Sequence, residues 1–215
     1  MGEFLNSIRY KNQPMPVRKR AVNTMMILWI GVILGLVAKY LDTVPVNELP
    51  PVLAYLDVRN FLGRFAFWVL AALCIAVYSN SSVRAAINVF LFFVGMVSAY
   101  YLYSCYAVGF FPKSYAMIWF GATAASPVLA FVCWYAKGRS RKAFALSALI
   151  LAVLFNMTFV YGQWYIEPLS VLEAAVFVIG FVVLRRSSVK CTALLCLCAL
   201  VLAVLLKLIV PFQFG

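Results

Sequence analysis

The chain has no histidine and only six acidic residues among 215. The first absence removes His-based metal sites and every Ser-His or Cys-His catalytic pair. Charged residues make up just 11% of the chain, where ordinary soluble domains carry about 25%. So little charge cannot cover the surface of a water-soluble fold of this length. Phosphate-binding loops, dinucleotide fingerprints and HExxH zinc motifs are also missing. No cofactor and no metal site is expected, and an intramembrane enzyme is the least favoured functional class. Disulfide scaffolding is excluded as well. Five of the six cysteines lie well inside apolar segments and Cys191 lies near the start of one, whereas disulfide frameworks belong to loop-rich, oxidising regions. The Cys191, Cys196, Cys198 spacing reads as apolar packing.

What fills the chain is hydrophobic residues, at 66%. They come in long runs separated by short polar stretches. The fold class expected is all-α: a polytopic membrane helix bundle of about seven transmembrane helices. A bilayer core needs about 20 apolar residues per helix, and the runs at about 21–40, 61–79, 86–110, 115–136, 143–163, 166–185 and 190–211 reach or nearly reach that length. Residues 1–20 read as a basic cytoplasmic tail and 21–211 as one transmembrane domain. The connection 41–60 is read either as an exposed outer loop or as an interfacial helix starting at Pro51, where proline suits a first turn. Such a helix would lead on into the second span.

The net charge of +12 would suggest nucleic acid in a soluble protein. Here the cations sit in short loops beside apolar runs, so nucleic-acid binding is set aside in favour of topology signals and anionic headgroups. A cytoplasmic N-terminus and an outer C-terminus put Arg9, Lys11, Arg18, Lys19, Arg20, Arg84, Lys137, Arg139, Arg141, Lys142, Arg185, Arg186 and Lys190 inside, 13 of the 18 Lys and Arg residues. Asp42, Glu48, Asp57 and Glu167 fall outside. Tyr100, Tyr101, Tyr103 and Tyr106 crowd the outer half of the third span, and Trp164 and Tyr165 mark the outer end of the fifth, as interfacial aromatics do. The cell membrane is the expected location.

Glu173 is the most informative residue. It is expected about seven positions into the sixth span, where an ionisable group is costly and suggests function, with a partner facing the bundle. Arg64 and Lys207 are the cations at a compatible level. Asn156, Thr123 and Ser126 bring further polar groups to the same outer layer, and Tyr101 and Tyr103 would wall it. These eight residues form the candidate substrate-binding site. The alternative reading is a structural polar network. Pro127 should free the Thr123 carbonyl four residues earlier, either lining a site or kinking the helix.

Two function classes follow. One is a small-solute transporter or substrate-binding membrane subunit. The other is a non-catalytic scaffold with a protein partner in the membrane. A 3+1+3 arrangement of spans would make a parallel internal repeat, a transporter design. Its sequence support is confined to the loop segments Glu48-Leu-Pro-Pro-Val-Leu53 and Glu167-Pro-Leu-Ser-Val-Leu172.

Overall fold

The computed structural model describes residues 7–10 and 15–210. Lys11 and the last residue of the expected seventh span lie outside them. The longer helices are α1 (Val17–Thr43), α4 (Phe65–Tyr78), α5 (Ser82–Tyr103), α6 (Lys113–Trp134), α7 (Arg141–Thr158), α8 (Val171–Leu184) and α9 (Val189–Ile209). Between α1 and α4 stand two short helices, α2 (Pro51–Tyr55) and α3 (Val58–Gly63). A hairpin joins α7 to α8, with β1 (Phe159–Tyr161) antiparallel to β2 (Ile166–Pro168). Among the described residues, five helices are long and apolar enough to cross a membrane: α1, α5, α6, α7 and α9. The other two apolar helices, α4 and α8, have 14 residues each, about 21 Å of helix.

Those short helices correct the expected boundaries. The run 61–79 is not one helix. Arg64 takes an extended conformation (φ −89°, ψ 159°) that ends α3, and α4 starts afresh at Phe65. Trp68 Nε1 donates to Leu62 O across the break at 2.9 Å. The segment 51–60 does contain helix, but α2 and α3 are separated at Leu56 and Asp57, and Asp57 is left-handed (φ 51°). A continuous lead-in to the second span is therefore ruled out. Likewise the fifth run ends its helix at Thr158 instead of 163. The sixth starts at Val171 instead of 166, because Ile166, Glu167 and Pro168 are committed to the hairpin.

The chain divides into two compact units. One holds residues 11–50 and 75–134; the other holds 1–10, 51–74 and 135–215. In the first unit, α1 and α5 pack side by side and run parallel. Residue contacts rise together along both helices, from Thr24 with Asn88 to Asp42 with Tyr100. Glycine makes the approach close. A Cβ on Gly31 would overlap the Phe92 carbonyl oxygen, and one on Gly35 that of Met96. Gly31 and Gly35 are a G-x-x-x-G pair, which lets backbones meet. Helix α6 then packs antiparallel on α5, with Trp134 Nε1 donating to Ser79 O at 2.7 Å.

The second unit repeats the parallel pairing with other residues. Helices α7 and α9 pack around Ala152, Phe155 and Ala203. Asn156 Nδ2 donates to Ala203 O at 2.9 Å. Helix α8 returns antiparallel along α7, so that Phe177 meets the Phe155 and Phe159 rings and Gly180 faces Leu154.

Candidate functional site

Glu173 sits in the first turn of α8, as its third residue. That corrects the expected depth of seven positions. The cause is Ser170, which N-caps α8: its Oγ accepts from Leu172 N at 3.2 Å and Glu173 N at 3.5 Å. Ser170-x-x-Glu173 is a capping-box spacing, a signal present in the sequence that locates the helix start. The Ser170 hydroxyl also donates to Glu173 Oε2.

Glu173 is fully buried. Its other oxygen, Oε1, accepts from Arg64 Nη1 at 2.7 Å. The break before α4 is what aims the arginine, because an extended residue between two helices turns its side chain out of the helical register. The Arg64 side chain keeps 25% of its exposure. Its Nη2 lies 3.8 Å from Asp57 Oδ2, and Asp57 Oδ1 accepts from Asn60 Nδ2 at 2.8 Å. The result is a chain of polar groups, Asp57–Arg64–Glu173–Ser170, within one unit. Both carboxylate oxygens of Glu173 are satisfied, which a buried carboxylate requires.

The remaining six candidates make other contacts. Lys207 does not meet Glu173: its Nζ donates to Tyr161 O and stands 3.9 Å over the Tyr161 ring. Asn156 joins that group, accepting from Tyr161 Oη at 2.7 Å. Together they tie the hairpin to α9. Thr123, Ser126, Tyr101 and Tyr103 belong to the first unit. Thr123 Oγ1 donates to Trp119 O at 2.8 Å, and Ser126 Oγ donates to Thr123 O at 2.8 Å. The carbonyl that Pro127 frees is thus taken by the neighbouring serine. Tyr101 is buried against Tyr100, Phe111 and Phe120, and its hydroxyl has no hydrogen-bond partner among the described residues. Tyr103 is half-buried at the end of α5.

Two arginines outside the candidate set organise the opposite helix ends. Arg84 Nη2 donates to Arg20 O at 3.0 Å and to Thr24 Oγ1, while Thr24 Oγ1 donates to Asn88 Oδ1 at 2.9 Å. Arg186 Nη2 donates to Ala143 O at 2.8 Å, Ser147 Oγ at 2.9 Å and Ala136 O at 3.1 Å, and its Nη1 to Gly138 O. Burial lowers the Arg186 pKa from its ordinary value, with Cys191 opposing; a guanidinium still stays charged. Each arginine grips a helix carbonyl and the hydroxyl four residues on. Sequence reading placed both as cytoplasmic cations and missed these bonds, because nothing in a loop arginine announces its acceptors.

No family model matches the chain. Neither the curated proteins nor the solved structures contain a match.

Proposed function

We propose that this is a seven-span protein of the cell membrane, N-terminus cytoplasmic and C-terminus outside, acting as a small-solute transporter or substrate-binding subunit. The span count is supported by the two parallel pairs. If α1 and α5 both cross in the same direction, the chain between them must return, and α4 is the apolar helix there. The same holds for α8 between α7 and α9. Their 21 Å is extended by α3 on one side and by the hairpin on the other. This arrangement also keeps Lys137, Arg139, Arg141, Lys142, Arg185, Arg186 and Lys190 together on the cytoplasmic side, as the positive-inside rule asks.

The observation that supports transport is the parallel pairing that occurs in each unit, α1 with α5 in one and α7 with α9 in the other. Parallel repeats are a transporter architecture. The proposed centre is the Arg64–Glu173 pair, of which Arg64 is the member solvent can reach. Lys207 and Asn156 act structurally, as do Thr123, Ser126, Tyr101 and Tyr103. Proteoliposomes loaded in turn with sugars, amino acids and small carboxylates test the reading by counterflow. At least one class should exchange, and Glu173→Gln should abolish the exchange in protein that still purifies folded. Exchange untouched by Glu173→Gln removes the pair from the mechanism. No exchange with any class removes transport.

One observation favours a second reading, a non-catalytic scaffold with a protein partner in the membrane: Glu173 is sealed between Arg64 and Ser170, as a structural fastening would be. Glu173→Gln would then lower thermal stability without a separate loss of activity.

A further inference from the structure

Arg64 and Asp57 face each other without closing. Arg64 Nη2 and Asp57 Oδ2 stand 3.8 Å apart, beyond hydrogen-bond reach. An unhindered pair of this kind closes to about 2.7–2.9 Å. Among the described residues, neither of these two atoms has a hydrogen-bond partner. Both side chains meet solvent, Arg64 at 25% and Asp57 at 42% of full exposure. Each is nevertheless held through its other polar atom. Arg64 Nη1 is committed to Glu173 Oε1 at 2.7 Å, and Glu173 is itself fastened to Ser170. A guanidinium is a rigid planar fork, so holding one nitrogen restricts where the other can point. Asp57 Oδ1 accepts from Asn60 Nδ2 at 2.8 Å. All five residues belong to one unit. The result is a positive donor beside a negative acceptor, each anchored by one atom and open at another.

We infer that this open pair recognises a zwitterion, an α-amino acid. The ligand carboxylate accepts from Arg64 Nη2, and the ligand ammonium donates to Asp57 Oδ2. In an α-amino acid a single carbon separates the two charged groups. A donor and an acceptor a few ångströms apart can therefore engage both at once. A lone carboxylate would satisfy Arg64 and meet Asp57 as a like charge. A lone ammonium would satisfy Asp57 and meet Arg64 in the same way. Selectivity then comes from repulsion as much as from attraction. A sugar offers neither charge. The inference rests on the Arg64–Glu173 pair being the centre of the transport reading. It adds the substrate class and a further binding residue, Asp57, whose anchor on Asn60 leaves one oxygen for the ligand.

The test is binding by the purified full-length protein in detergent, read by isothermal titration, so that translocation does not enter. The probes are glycine, L-alanine and L-leucine, followed by the amide and the N-acetyl form of whichever binds best. The amide lacks the carboxylate and the N-acetyl form lacks the ammonium. At least one amino acid should bind, and each truncated form should bind about tenfold more weakly or worse, the loss of one charged hydrogen bond. Asp57→Asn keeps the side-chain shape, an acceptor for Asn60 and a residue that tolerates the left-handed backbone. It should weaken the amino acid by about tenfold and remove the penalty for N-acetylation. The truncations are made on the ligand, so they decide the matter on the unaltered protein even where the variant fails to fold. Equal binding of the amino acid and its N-acetyl form overturns the proposal, and so does no binding of any of the three amino acids. The transport reading fails separately. It falls if proteoliposomes exchange no solute class, whatever the titrations show, and it stands if sugars or small carboxylates exchange while amino acids do not bind.

Discussion

The α1/α5 pair and the α7/α9 pair have one plan and two chemistries. Both are parallel and both are held at one end by an arginine. Arg84 grips Arg20 O and Thr24 Oγ1; Arg186 grips Ala143 O and Ser147 Oγ. Between the ends they differ. The first pair meets backbone to backbone through Gly31 and Gly35. The second meets through side chains, with Ala152, Phe155 and Ala203 in its core and Asn156 bonded across to the Ala203 carbonyl. The comparison teaches that the end fastening is the recurring part. What lies between is free to change, as packing usually is when volume and pattern are kept.

The largest effect should come from breaking the first pair where it is tightest. Gly31→Val puts side-chain carbons into the Phe92 carbonyl, and no flexible side chain can move aside. Loss of folded, monodisperse protein in detergent is expected. The matching change in the second pair, Ala203→Val, should cost only about 1–3 kcal/mol, the usual cost of overpacking a core. Equal effects would mean that the two interfaces are alike after all.

Next is Glu173→Ala, which leaves Arg64 with only Asp57 at 3.8 Å. Stripping one member from a buried ion pair costs about 3 kcal/mol or more. Thermal unfolding should show it, with Glu173→Gln recovering part of the loss because its amide still hydrogen-bonds. A third change sharpens the comparison at the arginines. Arg186→Lys removes a planar fork with four acceptors, about 2 kcal/mol by the usual worth of charged hydrogen bonds. Arg84→Lys should cost less, having two acceptors. The reverse order would show that the fastenings are not equivalent. The smallest effect is Asn156→Leu, about 0.6 kcal/mol if it behaves like the average hydrogen bond between membrane helices.

Much of this could be read in the sequence, and the exceptions have physical causes. Long apolar runs predict spanning helices because the bilayer fixes their length; α1, α6 and α9 match their runs within about four residues, and α5 does so once the π-helical turn Ser104–Val108 that continues it is included. The fifth and sixth runs were misread at their meeting ends because hydrophobicity does not separate helix from strand in residues such as Phe159, Val160 and Ile166. Ser170-x-x-Glu173 would have placed the α8 start, and Gly31-x-x-x-Gly35 would have flagged the α1 contact face. Arg64 as a partner for Glu173 followed from the cost of a buried carboxylate. That Lys207 would turn to the Tyr161 carbonyl did not follow, since the hairpin presenting it was not foreseen. The likeness of the two parallel pairs was nearly invisible because glycine in one answers to alanine and phenylalanine in the other.

Arg64 and Glu173 are 109 residues apart in the chain. At synthesis rates of about 5–20 residues per second, Arg64 is made some 5–20 s before Glu173 exists. During that interval α4 begins with a cation whose final partner has not been translated. Asp57, seven residues upstream and turned toward it by a left-handed backbone, is the acid available to it from the outset. The weaker contact in the finished protein is thus the earlier one in the life of the chain, and it gives the arginine a counter-charge until the ion pair can close.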